Sequence, residues 1–159
     1  MQNIFRNNKK KNFWHLCLAG LLTLGFTGCG SPATSTVPIN ASDADLVAIR
    51  QAASDYIDGW YAGDVERMER SLYDQLSKRW ITSERVDTTT KWEMLDLTKA
   101  GGGKDYAGEK KTVVTILDVY GNIAMVKTVS PEYVDYLQMG KLNGKWIIIN
   151  VLWAAKKPE

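Results

Sequence analysis

VDYLQMGKLNGKWIIINVLW, running from Val134 to Trp153, is a pair of strand-like runs around Asn143-Gly144. Asn-Gly is the strongest short hairpin signal, because a tight primed turn needs positive φ at both central residues. Taken as a two-residue turn, it sets Leu142 opposite Lys145, Leu137 opposite Asn150 and Asp135 opposite Leu152. Side-chain alternation then places Asp135, Leu137, Met139, Trp146, Ile148, Asn150 and Leu152 on one face. Val134, Tyr136, Ile147, Ile149, Val151 and Trp153 fall on the other. Both faces are largely apolar, yet a single layer of helices covers only one. Ile147, Ile149, Val151 and Trp153 are therefore the expected sheet-to-sheet contact of a homodimer. Asp135 and Asn150 become diagonal neighbours on the other face. A buried carboxylate and amide need partners, so they are either a polar anchor for a ligand or a self-satisfied structural pair.

Two more strand-like runs precede this hairpin, Lys110 to Tyr120 and Ile123 to Ser130, joined at Gly121-Asn122. In that pairing Lys127 opposes Ile116 with Asp118 diagonal to it. The lysine is either half of a strand salt bridge or a cavity cation for an anionic ligand. Upstream the period is helical. Ser42 and Asp45 form a capping box before Leu46, Ile49, Ala53, Tyr56, Ile57 and Trp60, and Gly63 ends the helix. Asp64 caps a shorter helix that buries Met68 and Leu72, Arg79 to Thr82 reads as a short strand, and Thr90 with Glu93 opens a third helix ending at Gly101-Gly102-Gly103. Helices first and a long antiparallel meander afterwards define an α+β domain over residues 43–159, with about three helices packed on one sheet face.

The N-terminus reads as an address. Arg6, Lys9, Lys10 and Lys11 precede an apolar run from Phe13 to Phe26, then Thr27-Gly28-Cys29. The run is shorter than the roughly 20 residues that a bilayer core requires. Phe26-Thr27-Gly28-Cys29 resembles the lipobox of bacterial lipoproteins. The resemblance implies a signal peptide over 1–28 and a lipidated Cys29 at the head of a flexible tether, 29–42, rich in small polar residues and proline. It implies anchoring at the periplasmic side of the envelope. Gly30 after the cysteine, rather than aspartate, resembles sorting to the outer membrane.

Cleavage there removes His15 and Cys17, the only histidine and the only other cysteine. The mature chain then has no Cys–His zinc site, no serine–histidine relay and no free thiol nucleophile. No metal or cofactor is expected. Removing the four basic signal residues from the 20 Lys and Arg leaves 16 against 18 Asp and Glu. The signs are interspersed, so no basic stripe suits a nucleic-acid backbone.

Four segments carry a family resemblance: DYIDGWYAGDVERM (Asp55 to Met68), KRWI (Lys78 to Ile81), LDVYGNIAMVK (Leu117 to Lys127) and the opening stretch. Together they resemble the putative lumazine-binding family of the nuclear transport factor 2-like superfamily. The chain departs from it at Leu72-Tyr73-Asp74, where members often have His-Pro-Asp. The resemblance implies a cone-shaped domain holding a small ligand between its first helix and the concave sheet, and back-to-back dimers. Tyr56, Trp60, Lys127, Asp135 and Asn150 are the pocket candidates. The run Tyr56 to Asp64 is also similar to the first helix of ketosteroid isomerases, which implies an oxyanion donor at Tyr56. A gapless count puts the isomerase base at Trp80, which accepts no proton, leaving Asp135, if buried, or else Asp118 as the substitute. No catalytic residue is assigned on half a site. The leading expectation is a non-catalytic, lipid-anchored binding module for a small aromatic ligand. A small isomerase or lyase using Tyr56 and Asp135, and an envelope scaffold with a filled cone, are the alternatives.

Overall fold

A computed structural model describes residues 41–105 and 112–156. Cys29, the signal segment and nearly all of the tether lie outside the described residues, as does the start of the first strand run at Lys110. Helix α1 spans Asp43–Ala62 and opens as its sequence dictates, with the Ser42 hydroxyl accepting from the Asp45 N–H. Gly63 closes it at φ 64, a left-handed conformation that glycine adopts without a Cβ penalty. Asp64 caps α2 (Val65–Ser71), and Thr90 with Glu93 forms the capping box of α3 (Lys91–Lys99).

The strands are β1 (Leu72–Ile81), β2 (Val86–Thr89), β3 (Val113–Tyr120), β4 (Ile123–Val129), β5 (Tyr133–Leu142) and β6 (Lys145–Ala155). They form one six-stranded sheet in the order β2-β1-β6-β5-β4-β3. Strands β3 to β6 are the expected antiparallel meander, turning at Asn143 (φ 50) and Gly144 (φ 78). Strand β1 joins parallel to β6, so the sheet is mixed. Leu72 therefore starts a ten-residue strand instead of ending α2, and the strand expected at Arg79 to Thr82 is only its tail. Asp74 in that strand accepts from the buried Lys91 ammonium at 2.7 Å, tying β1 to α3.

Ile49, Ala53, Tyr56 and Ile57 of α1 pack on Val126, Leu137, Met139 and Ile148 of the sheet, with Met68, Leu72 and Leu76 at the side. Truncating a buried leucine such as Leu137 to alanine costs about 2–5 kcal/mol by loss of transfer energy and cavity formation. Two polar clusters fix α1. Asp45 accepts from Lys141 Nζ at 2.7 Å and Trp146 Nε1 at 2.8 Å, bonds that hold its carboxyl at about 2. Asp55 accepts from the Nε of Arg70 at 2.7 Å and of Arg67 at 3.0 Å, pinning α1 to α2.

Two β-bulges correct the expected registers. Met139 pairs with Ile148 but Gln138 pairs with Asn150, so Ile149 is an inserted residue and the alternation of β6 reverses beyond it. Asp135 then pairs with Trp153, not Leu152. Val151 is buried in the core and Trp153 points to the helix side, while Asn150 and Leu152 move to the outer face. Of the four residues expected at a dimer contact, only Ile147 and Ile149 stay outside. The second bulge, between Ile116 and Asp118, pairs Lys127 with Thr115 instead of Ile116. Its ammonium lies 5.7 Å from the ring centre of Tyr136 on the outer face, away from the helices.

Candidate functional site

A cavity of about 190 Å³ lies between α1, α3 and the β1–β6–β5 part of the sheet. It is lined by Tyr56, Ile57 and Trp60 of α1, Lys78 of β1, Thr89 of β2, Met94 and Leu97 of α3, and Tyr133, Asp135 and Trp153. Helical spacing brings Tyr56 and Trp60 to one side of α1, four residues apart. The reversal at Ile149 turns Trp153 inward beside Asp135. In β1, Leu76, Lys78 and Trp80 alternate onto the inner face, which delivers a lysine to an aromatic enclosure.

Trp60 is held by the glycine run. A Cβ on Gly102 would stand 2.4 Å from Trp60 Cη2, and one on Gly103 would stand 2.5 Å from Trp60 Cδ1. Neither distance is physically allowed, so the chain passes the indole only as glycine. On the far wall Trp153 stacks on Trp80 with ring centres 5.4 Å apart and meets Tyr133 edge-on at 5.2 Å. The indole nitrogens of Trp60 and Trp153 are buried without a hydrogen-bond partner among the described residues.

Asp135, 1% exposed, is the polar centre. Its Oδ1 accepts from the Tyr56 hydroxyl at 3.1 Å and from Lys78 Nζ at 3.0 Å, and its Oδ2 accepts from Thr128 Oγ1 at 3.1 Å. Lys78 Nζ also donates to the Tyr56 oxygen and sits 4.9 Å from the ring centre of Trp153 and 5.2 Å from that of Tyr56. Burial pushes the Tyr56 phenol well above its usual range, and the Asp135 charge pushes it further. Burial likewise draws the Lys78 ammonium down, against the opposing pull of Asp135.

The sequence candidates thus divide. Tyr56, Trp60 and Asp135 share the cavity; Lys127 and Asn150 do not. Asn150 Nδ2 donates to Gln138 Oε1 at 3.1 Å on the outer face, so the Asp135–Asn150 pair does not form. The cation that Lys127 was to supply is Lys78. The signal that could have found it is the spacing Leu76-Lys78-Trp80, with its lysine flanked by two apolar inner positions. Among the described residues no group of three His, Cys, Asp or Glu is arranged to hold a metal ion.

This architecture is similar to that of several solved structures. A nuclear transport factor 2-like protein of unknown function from Methylobacillus flagellatus superposes with a TM-score of 0.60 at 18% identity, over 75% of this chain and 98% of its own. One from Silicibacter pomeroyi gives 0.59 at 17% identity, over 73% and 99%. A ketosteroid isomerase-like protein from Erwinia carotovora atroseptica gives 0.51 at 13% identity, over 74% and 100%. At these identities the likeness speaks for the fold. No curated protein matches the chain in sequence. Residues 44–154 match the putative lumazine-binding family, and the chain belongs to that family, on a nuclear transport factor 2-like fold.

Proposed function

We propose that this chain is a bacterial lipoprotein, anchored through Cys29 at the periplasmic side of the envelope and sorted to the outer membrane, whose domain holds a small, partly aromatic molecule without transforming it. The observation that carries the reading is the engagement of Tyr56 with the buried Asp135. Tyr56 has one proton, and Asp135 receives it. Both oxygens of Asp135 are engaged and the residue is almost wholly buried. An oxyanion donor needs a free proton and a general base needs a free lone pair within reach of substrate. Tyr56 offers no free proton in this arrangement, and Asp135, 1% exposed with three of its roughly four lone-pair sites engaged, is closed to substrate by burial, while the aromatic walls beside the pair suit a flat ligand. The family's name points to a lumazine-like heteroaromatic as one member of that class.

The isomerase or lyase alternative draws on the same two residues standing together in a cavity. It requires Tyr56 and Asp135 to part on substrate entry. Tyr56→Phe and Asp135→Asn distinguish the readings: loss of turnover in both supports an enzyme, and altered ligand affinity alone supports binding. A ligand-free scaffold predicts no effect beyond stability, and the open cavity weighs against it.

Two features complete the reading. Cys29→Ala is expected to abolish acylation and release the protein from the membrane fraction; an intact, unacylated polypeptide recovered from the cytosol of the unaltered strain would contradict anchoring. A homodimer is proposed through the outer face, where Ile147 and Ile149 join Tyr136 and Leu152, which are 41% and 45% exposed. Leu152→Asp should yield monomer in sedimentation, and an unchanged dimer would move the interface elsewhere.

A further inference from the structure

The enclosure around Lys78 is specific in charge as well as shape. Its walls are the flat rings of Trp60, Tyr133 and Trp153, and its two charges, Lys78 and Asp135, already neutralise one another at 3.0 Å. An entering carboxylate would compete with Asp135 for the same ammonium and leave one negative charge buried without a counter-charge. An entering ammonium would meet Lys78 head on, with three of the roughly four lone-pair sites of Asp135 already engaged. Burying an unpaired charge costs several times what a hydrogen bond returns, so both kinds of ion are disfavoured.

What the cavity still offers is a donor. An ammonium has three N–H bonds. Lys78 spends one on the Tyr56 oxygen and one on Asp135, and the third has no acceptor among the described residues. The third bond belongs to a side chain that lines the cavity and is 12% exposed, so whatever accepts it comes in through the cavity. Resting on the binding reading above, we propose that the ligand is an uncharged planar ring compound whose ring carbonyl accepts from Lys78 while the ring lies against Trp153. Lys78 then selects for the acceptor, and its pairing with Asp135 selects against net charge.

The test is calorimetric titration of the full chain purified from its host in detergent, blanked against detergent alone, with four probes of similar size. These are coumarin, naphthalene, 2-naphthoate and 2-naphthylmethylammonium. Coumarin should bind about tenfold more tightly than naphthalene, the worth of one hydrogen bond to a charged donor. Both ions should bind no better than naphthalene. The paired variant Lys78→Met/Asp135→Leu removes both charges together and should lower coumarin to the naphthalene level while naphthalene is unaffected. Equal affinity for coumarin and naphthalene would overturn the role of Lys78, and an ion that outbinds coumarin would overturn the selection for neutrality. Naphthalene binding without coumarin preference leaves the binding reading standing; silence from all four probes removes that reading and this inference together.

Discussion

Asp55 and Asp135 are both buried carboxylates paired with cations, and they are put to different use. Asp55 receives two arginines from α2, and Arg70 keeps half of its side chain in water. Asp135 receives a lysine and a tyrosine that are themselves buried, at the edge of a cavity. The first cluster joins two helices and needs nothing further. The second encloses charge where apolar residues would pack as well, and a buried ion pair is weak evidence for stability. A buried charge pair at the edge of a cavity is best explained by what the cavity receives.

Breaking the cavity pair should give the largest effect. Asp135→Ala strands Lys78 among aromatic rings and should cost about 3–5 kcal/mol in urea unfolding, whereas Lys78→Met/Asp135→Leu should recover most of that loss. Asp55→Ala should cost less, about 2 kcal/mol, because the two guanidinium groups relax toward solvent. If the order were reversed, the cavity pair would be the structural one. Crowding the cavity wall instead of discharging it is a third probe. Gly103→Ala forces the chain off Trp60 and should cost about 1–2 kcal/mol with a changed tryptophan emission.

Acid is the gentlest probe, and it acts on the two carboxylates that fix α1, Asp45 and Asp55. Asp45 titrates at about 2 in the folded chain against an ordinary 3.8, and Asp55 is also depressed, since its arginine bonds outweigh its burial. A lowered folded value means that these groups stabilise fully above about 4 and lose that contribution as pH falls toward 2. The urea midpoint should therefore be flat down to pH 5 and decline below 4. Asp55→Asn should flatten the decline, and an unchanged slope would contradict its role.

How much of this was legible in sequence follows from where the pattern had contrast. The caps at Ser42, Asp64 and Thr90 and the turn at Asn143-Gly144 depend on single residues with strong local chemistry, and they stand where they were expected. The bulge at Ile149 was hidden because it falls in Ile147-Ile148-Ile149. Three identical side chains carry no alternation to show which one is inserted. That one residue moved Asn150 out of the expected pocket and brought Trp153 into the cavity. Strand β1 was hidden for another reason. Its pairing is long-range and parallel, and Lys78 interrupts the apolar inner positions by which a strand is recognised. Tyr56 and Asp135 were legible as individuals, but their mutual hydrogen bond spans 79 residues of chain and needed the fold.

On this reading the cavity beside Asp135 is built to be occupied. Native mass spectrometry of the protein purified gently from its own host addresses it most directly. The account predicts one recurrent small mass bound to the folded chain and lost from Lys78→Met/Asp135→Leu. A cavity found empty in repeated preparations would contradict it.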